Sequence, residues 1–459
     1  ETPGVEDGAR RRASFYLRQY VDSQAPPNFA PTNPEAVRRA AETSGESLLR
    51  GFGTMLDDLE RGGGELRPQT NDEAAFTLGV DIAVTPGAVV ARTDLAELIQ
   101  YAPSTKMVDA APVLIIPPWI NKFYVLDLRP DNSFIRWLVA QGRTVFVLSW
   151  ANPGPELRHK DFEDYMTEGP LAALEAISDI VGPEPVDLIG YCLGGTLLAA
   201  TLAYRAAMGE PPARSATFLT TMLDFSEPGD LGVFIDEEQL EILEAHMERH
   251  GFLDGRHMQR VFSLLRDRDM IWSVYINNYL LGRSPRAFDL LYWNNDSTRM
   301  PQMMHQFYLR GMYLENQLAQ PGGLTLRGRP IDLARIETPA VFVSAVDDHI
   351  APWRSTFAGA NLLGAAPRFL LVESGHVSGV INPPTGREKY GWFDNPNPPA
   401  GDADAWLADA RKESGSWWPA WLAAIRAADD RAQVKARAVG TKARPALADA
   451  PGDYVRVRH

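Results

Sequence analysis

The rhythm of apolar positions changes near residue 85. Before it the chain reads as peripheral helix. Thr32-Asn33-Pro34-Glu35 supplies an N-cap residue and a proline for the first turn, and Arg61-Gly62-Gly63-Gly64 supplies a stop. After it, short apolar runs alternate with helical stretches. Val113 to Ile116, Thr144 to Leu148, Val186 to Tyr191, Ala216 to Thr221, Ala340 to Val343 and Arg368 to Val372 each have strand length, and Phe162 to Ile180 reads as helix. Such alternation predicts an α/β fold: a mostly parallel sheet covered by helices on both faces. Between the strands at 216 and 340 lies a long insertion rich in Trp, Tyr, Phe, Met and Leu, as in Met270-Ile271-Trp272-Ser273-Val274-Tyr275.

One strand ends in a special turn. Gly190-Tyr191-Cys192-Leu193-Gly194-Gly195 stands between the apolar run Val186-Asp187-Leu188-Ile189 and the helix-forming Thr196-Leu197-Leu198-Ala199-Ala200. Strand, sharp turn with small residues two before and two after its centre, then helix: this is the nucleophile elbow of the α/β-hydrolase fold, with sulfur in place of the usual serine oxygen. The small flanks are needed because the central backbone is strained and side chains there collide with neighbouring elements. In that fold an insertion placed like this one forms a helical cap, or lid, over the active site.

Composition narrows the function. The 459 residues carry a net charge of −14, which argues against nucleic acid as a partner, and Cys192 is the only cysteine, so no internal disulfide forms. A lone thiol nucleophile is best kept in a reducing compartment, so a cytoplasmic location is expected. No apolar run has the length of a transmembrane segment; Ala111 to Pro118 is short and broken by proline. The first residues, Glu1-Thr2-Pro3-Gly4, lack both a signal-peptide pattern and an initiator methionine, so the natural chain is expected to start earlier.

A thiol needs a base to become a thiolate near neutral pH. The fold supplies one after its last strand, with a carboxylate after an earlier one. Here Glu373-Ser374-Gly375-His376-Val377-Ser378-Gly379 follows one apolar run, and His376 is the candidate base; His246, His250 and His257 lie in a polar stretch of the insertion. The acid is open on spacing alone. Asp347 and Asp348 are adjacent after the strand at 340, and Asp224 follows the strand at 216. His349 is a candidate supporting residue beside them. An oxyanion hole needs two N–H donors; the fold offers that of Leu193, after the nucleophile, and one from the loop Pro118-Trp119-Ile120-Asn121, with Ile120 or Trp119 the candidates. Sulfur has its own implication. A cysteine exchanges acyl groups with a thioester at little free-energy cost and keeps them activated, so acyl transfer from an acyl-CoA is favoured over plain hydrolysis.

Several strings are more specific than a fold. Pro117-Pro118-Trp119-Ile120-Asn121-Lys122-Phe123-Tyr124-Val125-Leu126-Asp127-Leu128, the elbow with Thr196, and Phe288-Asp289-Leu290-Leu291-Tyr292-Trp293-Asn294 are three. Asp348-His349-Ile350-Ala351-Pro352-Trp353, Gly375 to Pro384, and Gly415-Ser416-Trp417-Trp418-Pro419 are three more. Together they resemble the polyhydroxyalkanoate synthases, with an elbow most like the class I, short-chain type. The resemblance implies polymerisation of (R)-3-hydroxyacyl-CoA, chiefly 3-hydroxybutyryl-CoA, into polyester with release of CoA. Carried over residue by residue, it makes Cys192 the nucleophile, His376 the base and Asp348 the acid. It also implies a homodimer with a mobile cap, working at the surface of polymer granules, with no metal or redox cofactor. The expected divisions are a helical N-terminal region at 1–70, a first core part at 71–225, a cap at 226–335, a second core part at 336–427 and a loosely ordered tail at 428–459. Trp353, Arg354, Arg283, Arg286 and Arg310 are candidates for the path by which CoA approaches. The competing readings are a cysteine-type thioesterase or esterase of the same fold, and a non-catalytic granule scaffold.

Overall fold

The computed structural model describes residues 6–386, 389–427, 431 and 433–458. The chain falls into two compact units, one of Glu1–Phe76 with Arg256–Asn295 and one of Thr77–Gly255 with Asp296–His459. The insertion at 226–335 is thus shared: residues 256–295 belong to the first unit, and 226–255 and 296–335 to the second.

The first unit is helical. Helices α1 (Asp7–Ser23), α2 (Pro34–Glu42) and α3 (Glu46–Arg61) follow one another. The Asn33 side chain caps α2, accepting the N–H groups of Glu35 and Ala36 at 3.0 Å, and Pro34 occupies the first turn. A side chain at Gly51 would run into the Tyr279 carbonyl, so glycine is what lets α3 lie against the helical turn Ile276–Leu280. That contact is fastened by the Tyr279 hydroxyl, which donates to the buried Asp58 carboxylate at 2.6 Å.

The second unit is built on an eleven-stranded sheet. In chain order its strands are β1 (Gly87–Arg92), β2 (Ala96–Tyr101), β3 (Val113–Ile116), β4 (Val145–Trp150), β5 (Asp187–Tyr191) and β6 (Ser215–Leu219). They continue with β7 (Ala340–Ala345), β8 (Arg368–Val372), β9 (Trp392–Asp394), β10 (Arg411–Glu413) and β11 (Ala448–Asp449). Their spatial order is β10-β9-β8-β7-β6-β5-β3-β4-β2-β1-β11. The run from β8 to β4 is parallel, and the strands beyond it at both edges are antiparallel. β3, β4 and β7 are buried almost end to end, as parallel strands covered on both faces must be. The chain fills β3 and β4 and then crosses to the other side of β3 to make β5. That reversal opens a crevice at the carboxyl ends of β3 and β5, where sheets of this kind bind ligands.

The tail differs from its expected loose order. β11 pairs antiparallel with β1, with Leu447 N–H on Val89 O at 2.8 Å and Ala450 N–H on Gly87 O at 2.9 Å. Glu97, fully buried on β2, accepts the N–H groups of Asp453 and Tyr454 at 3.0 Å each. Low apolar content conceals this docking, which rests on main-chain bonds to a strand edge that otherwise stands open. No helix among the described residues is long and apolar enough to cross a membrane.

Candidate active site

β5 delivers Cys192 to the crevice. Its φ of +51° and ψ of −120° are strained for a residue with a side chain, and helix α4 (Leu193–Ala207) begins directly after it. Three glycines make the turn possible. A Cβ on Gly190 would strike the Gly195 backbone, one on Gly194 the Ile116 carbonyl, and one on Gly195 the Thr221 side chain. The elbow is pinned from below by the Cys192 N–H, which donates to Leu219 O at 2.9 Å, and Cys192 stays partly exposed.

His376 arrives on the loop after β8. Its ring stacks on Tyr191 with centroids 5.6 Å apart, and its Nδ1 lies 2.7 Å from Asp348 Oδ2. Nε2 is the nitrogen left for Cys192, whose charge the ring feels. The Gly415-to-Pro419 string has a physical role here. Trp417 and Trp418 are fully buried, and their indole N–H groups donate to Gly379 O at 3.2 Å and Val380 O at 2.9 Å, fixing the loop just beyond His376. Burial pulls the His376 imidazolium down, but the charges of Asp348 and Cys192 outweigh it and raise the ring to about 10.

Asp348 and Asp347 part company at the end of β7. Asp347 is exposed, whereas the Asp348 side chain is fully buried. Asp348 Oδ1 accepts the N–H groups of Ile350 at 2.9 Å and Ala351 at 2.8 Å, so both oxygens are engaged. Asp224 is occupied elsewhere: its Oδ1 accepts Ser226 N–H and Asn316 Nδ2, each at 2.9 Å. His349 is half-buried, next in the chain to Asp348.

The two expected oxyanion donors flank the crevice. Leu193 opens α4, at the positive end of the helix dipole. Ile120 lies in the loop after β3, whose Pro117 carbonyl accepts Trp150 Nε1 at 2.8 Å. Both residues are buried, and among the described residues neither of their N–H groups has an acceptor within the protein.

Aromatic side chains wall the site, and three of them, Phe225, Tyr308 and Tyr313, the sequence did not single out. The ring of Trp119 lies 6.1 Å from that of Tyr308, which lies 5.4 Å from that of Tyr313, and Phe225 packs edge-on against both tyrosines. Tyr308 and Tyr313 feel the charge of Cys192, and burial raises both phenols well above their ordinary value, keeping them protonated. The string Phe307-Tyr308-Leu309-Arg310-Gly311-Met312-Tyr313 carries a helical-face signal, but nothing local says that this face meets the elbow. Of the residues considered for CoA, Trp353 is buried, Arg354 pairs with Asp404 at 2.5 Å, and Arg310 is shared between Glu237 and Glu244 at 2.7 and 2.5 Å. Arg283 pairs with Glu35 at 2.5 Å, its distance to that carboxylate matching the other ion pairs.

The sequence matches two families: residues 1–138 match the one described as Poly-beta-hydroxybutyrate polymerase (PhaC) N-terminus, and residues 112–383 the alpha/beta hydrolase fold. The chain is 49% identical to a poly(3-hydroxyalkanoate) polymerase of Methylorubrum extorquens over 456 residues, which are 99% of this chain and 75% of that protein. It is 46% identical to a poly(3-hydroxyalkanoate) polymerase subunit PhaC of Rhizobium meliloti, covering 100% of this chain and 74% of that one. The Cupriavidus necator subunit of the same name is 41% identical, covering 98% and 76%. With an α/β-hydrolase core and relatives of this identity along nearly its whole length, the chain belongs to the poly(3-hydroxyalkanoate) polymerase family of acyltransferases.

Proposed function

We propose that this chain polymerises (R)-3-hydroxyacyl-CoA, chiefly 3-hydroxybutyryl-CoA, into polyester through a covalent thioester on Cys192. One observation carries most of the weight: Cys192 sits on a strained elbow, and its charge is felt by a His376 ring that Asp348 holds from behind at 2.7 Å. In the first half-cycle the His376 ring already carries the proton that Cys192 gives up, and the sulfur attacks the thioester carbonyl. The developing oxyanion meets the N–H groups of Leu193 and Ile120. The bond to the CoA sulfur breaks, and His376 returns the proton to that sulfur, releasing CoA. In the second half-cycle the 3-hydroxyl of another hydroxyacyl-CoA attacks the Cys192 thioester and gives its proton to His376. The carbon–sulfur bond breaks, the freed sulfur faces the protonated ring again, and the elongated chain, still a CoA thioester, is taken up again by Cys192. Each cycle consumes one hydroxyacyl-CoA and releases one CoA.

Asp348 acts through His376 in this scheme. Its side chain is fully buried, and its two oxygens already serve the ring and two backbone N–H groups, so the ring rather than the carboxylate meets the substrate hydroxyl. The aromatic wall of Trp119, Phe225 and Tyr308 favours an alcohol on an apolar chain over water as the attacking group. We read the working form as a cytoplasmic homodimer at the surface of its polymer. Exposed Tyr16, Leu17, Tyr20 and Val21 on α1, and Leu49 and Phe52 on α3, support an apolar partner.

The test is to supply (R)-3-hydroxybutyryl-CoA and follow free CoA and product. Insoluble polyester, together with an acyl group captured on Cys192 by mass spectrometry, is expected, and Cys192→Ala should abolish both. Soluble 3-hydroxybutyrate as the sole product would assign a thioesterase instead.

A further inference from the structure

The loop that carries Ile120 is held by its carbonyls, and those on either side of Ile120's own N–H share one holder, Thr298. Thr298 Oγ1 donates to Trp119 O, and Thr298 N–H donates to Ile120 O at 3.1 Å. Pro117 and Pro118 have no N–H of their own, so the first donors the loop presents are those of Trp119 and Ile120, and the Ile120 N–H shares its peptide with the anchored Trp119 carbonyl. In a planar trans peptide the carbonyl and the N–H point in opposite directions. Anchoring the Trp119 carbonyl on one side therefore aims the Ile120 N–H to the other.

We propose that Thr298 is a positioning residue: its hydroxyl sets the Trp119–Ile120 peptide plane and so orients the second oxyanion donor. The proposal rests on the thioester reading above. The surroundings suit a fixed support. Thr298 is 1% exposed and Trp119 likewise 1%. Asn121 bridges antiparallel to Ser297, and the Tyr124 hydroxyl donates to Asp296 Oδ2 at 2.9 Å, so the segment bearing Thr298 is also fastened to the chain just beyond the critical peptide. A valine at 298 would fill the same space and keep the backbone bond to Ile120. It would lose only the hydroxyl that orients the plane.

The experiment compares Thr298→Val, Thr298→Ser and Tyr124→Phe in CoA release from (R)-3-hydroxybutyryl-CoA, with single-turnover acylation of Cys192 and thermal melting alongside. Removing an oxyanion donor outright costs about 10²–10³ in kcat, and misaiming one should cost about 10- to 100-fold. Thr298→Val is expected to lose that much in kcat and in acylation rate with KM nearly unchanged, and Thr298→Ser to recover it. Tyr124→Phe, which loosens the same segment without touching the peptide plane, is expected to keep kcat while melting lower. Wild-type kcat in Thr298→Val, equal impairment in Thr298→Ser, or the same fall in Tyr124→Phe would each overturn the proposal. Should Thr298→Val fail to fold, Thr298→Ala carries the same test, and failure of both would make the role structural and overturn it too. If Cys192→Ala still turns over, the thioester reading falls and takes this one with it. If Cys192→Ala is dead while Thr298→Val is normal, only Thr298 is wrongly assigned.

Discussion

Asp348 Oδ2 stands 2.7 Å from His376 Nδ1, while Oδ1 of the same carboxylate receives two backbone N–H groups at 2.8 and 2.9 Å. The carboxylate is thereby locked in the plane that fixes the imidazole with a proton on Nδ1 and Nε2 facing the sulfur. Asp348→Asn keeps the shape but puts an amide where the acceptor stood. By analogy with other triads of this logic, kcat for CoA release should fall by about 10⁴. Asp347, exposed one residue earlier, should tolerate the same change with nearly full activity. Equal losses in the two variants would remove Asp348 from the mechanism.

The raised His376 gives a prediction in pH. With Asp348 and Cys192 both bearing charge, the ring stays protonated to about pH 10 despite its burial. An ordinary histidine titrates near 6.5. Because the folded value is the higher one, the stabilisation from this contact is complete below about pH 6.5 and fades as pH climbs toward 10. Imidazole NMR on the resting enzyme should find the His376 ring cationic at neutral pH. Both Asp348→Asn and Cys192→Ala should lower its titration, since each removes one of the charges that raise it. A ring that is neutral at pH 7 in the wild type would refute the assignment of charges.

Much of the site was legible because its signals are local. Gly190-Tyr191-Cys192-Leu193-Gly194-Gly195 declares a turn that only small flanks permit, and the parallel strands read as unbroken apolar runs. The choice between Asp347 and Asp348 had no local signal. Two adjacent residues differ only in which way the turn after β7 points them, and the resemblance to relatives, not spacing, selected Asp348. The edge strands were silent for a different reason. β9, β10 and β11 are two or three residues long and include charged positions, and their pairing depends on partners far away in the chain. Tyr308, Tyr313 and Thr298 belong to the same class: their side chains matter through elements that the insertion brings back to the elbow.

The glycines of the elbow should not be equivalent. At Gly194 the obstacle to a methyl group is the Ile116 carbonyl, which is backbone of a central strand and has nowhere to go. Gly194→Ala should therefore cost more than about 4 kcal/mol or abolish folding. At Gly195 the obstacle is the Thr221 side chain, which can be trimmed. Gly195→Ala should be strongly destabilising alone and partly restored by Thr221→Ala, with the coupling read from urea unfolding of the four-member cycle. Strict additivity would mean that the two side chains do not compete for the same space.

The tail is testable through Glu97. Its side chain is fully buried, with Oε1 on Arg92 at 2.5 Å and Oε2 accepting the N–H groups of Asp453 and Tyr454. From that anchor the chain runs on to Val457, whose carbonyl receives Lys122 Nζ at 2.7 Å, two residues beyond Ile120. Glu97→Ala leaves two backbone donors without their acceptor and Arg92 with Asp453 alone, and bonds to charged groups are worth about 1.5–3 kcal/mol each. The variant should lose about 2–4 kcal/mol in urea unfolding. It should also gain protease cleavage within 448–458, because the tail then depends on β11 and a few side-chain contacts alone. Lys122 loses its carbonyl partner whenever that segment lifts, so kcat should fall by a modest factor of about 2–10, far less than for a triad variant. An unchanged unfolding midpoint with no new cleavage would show that the tail is held by something other than Glu97.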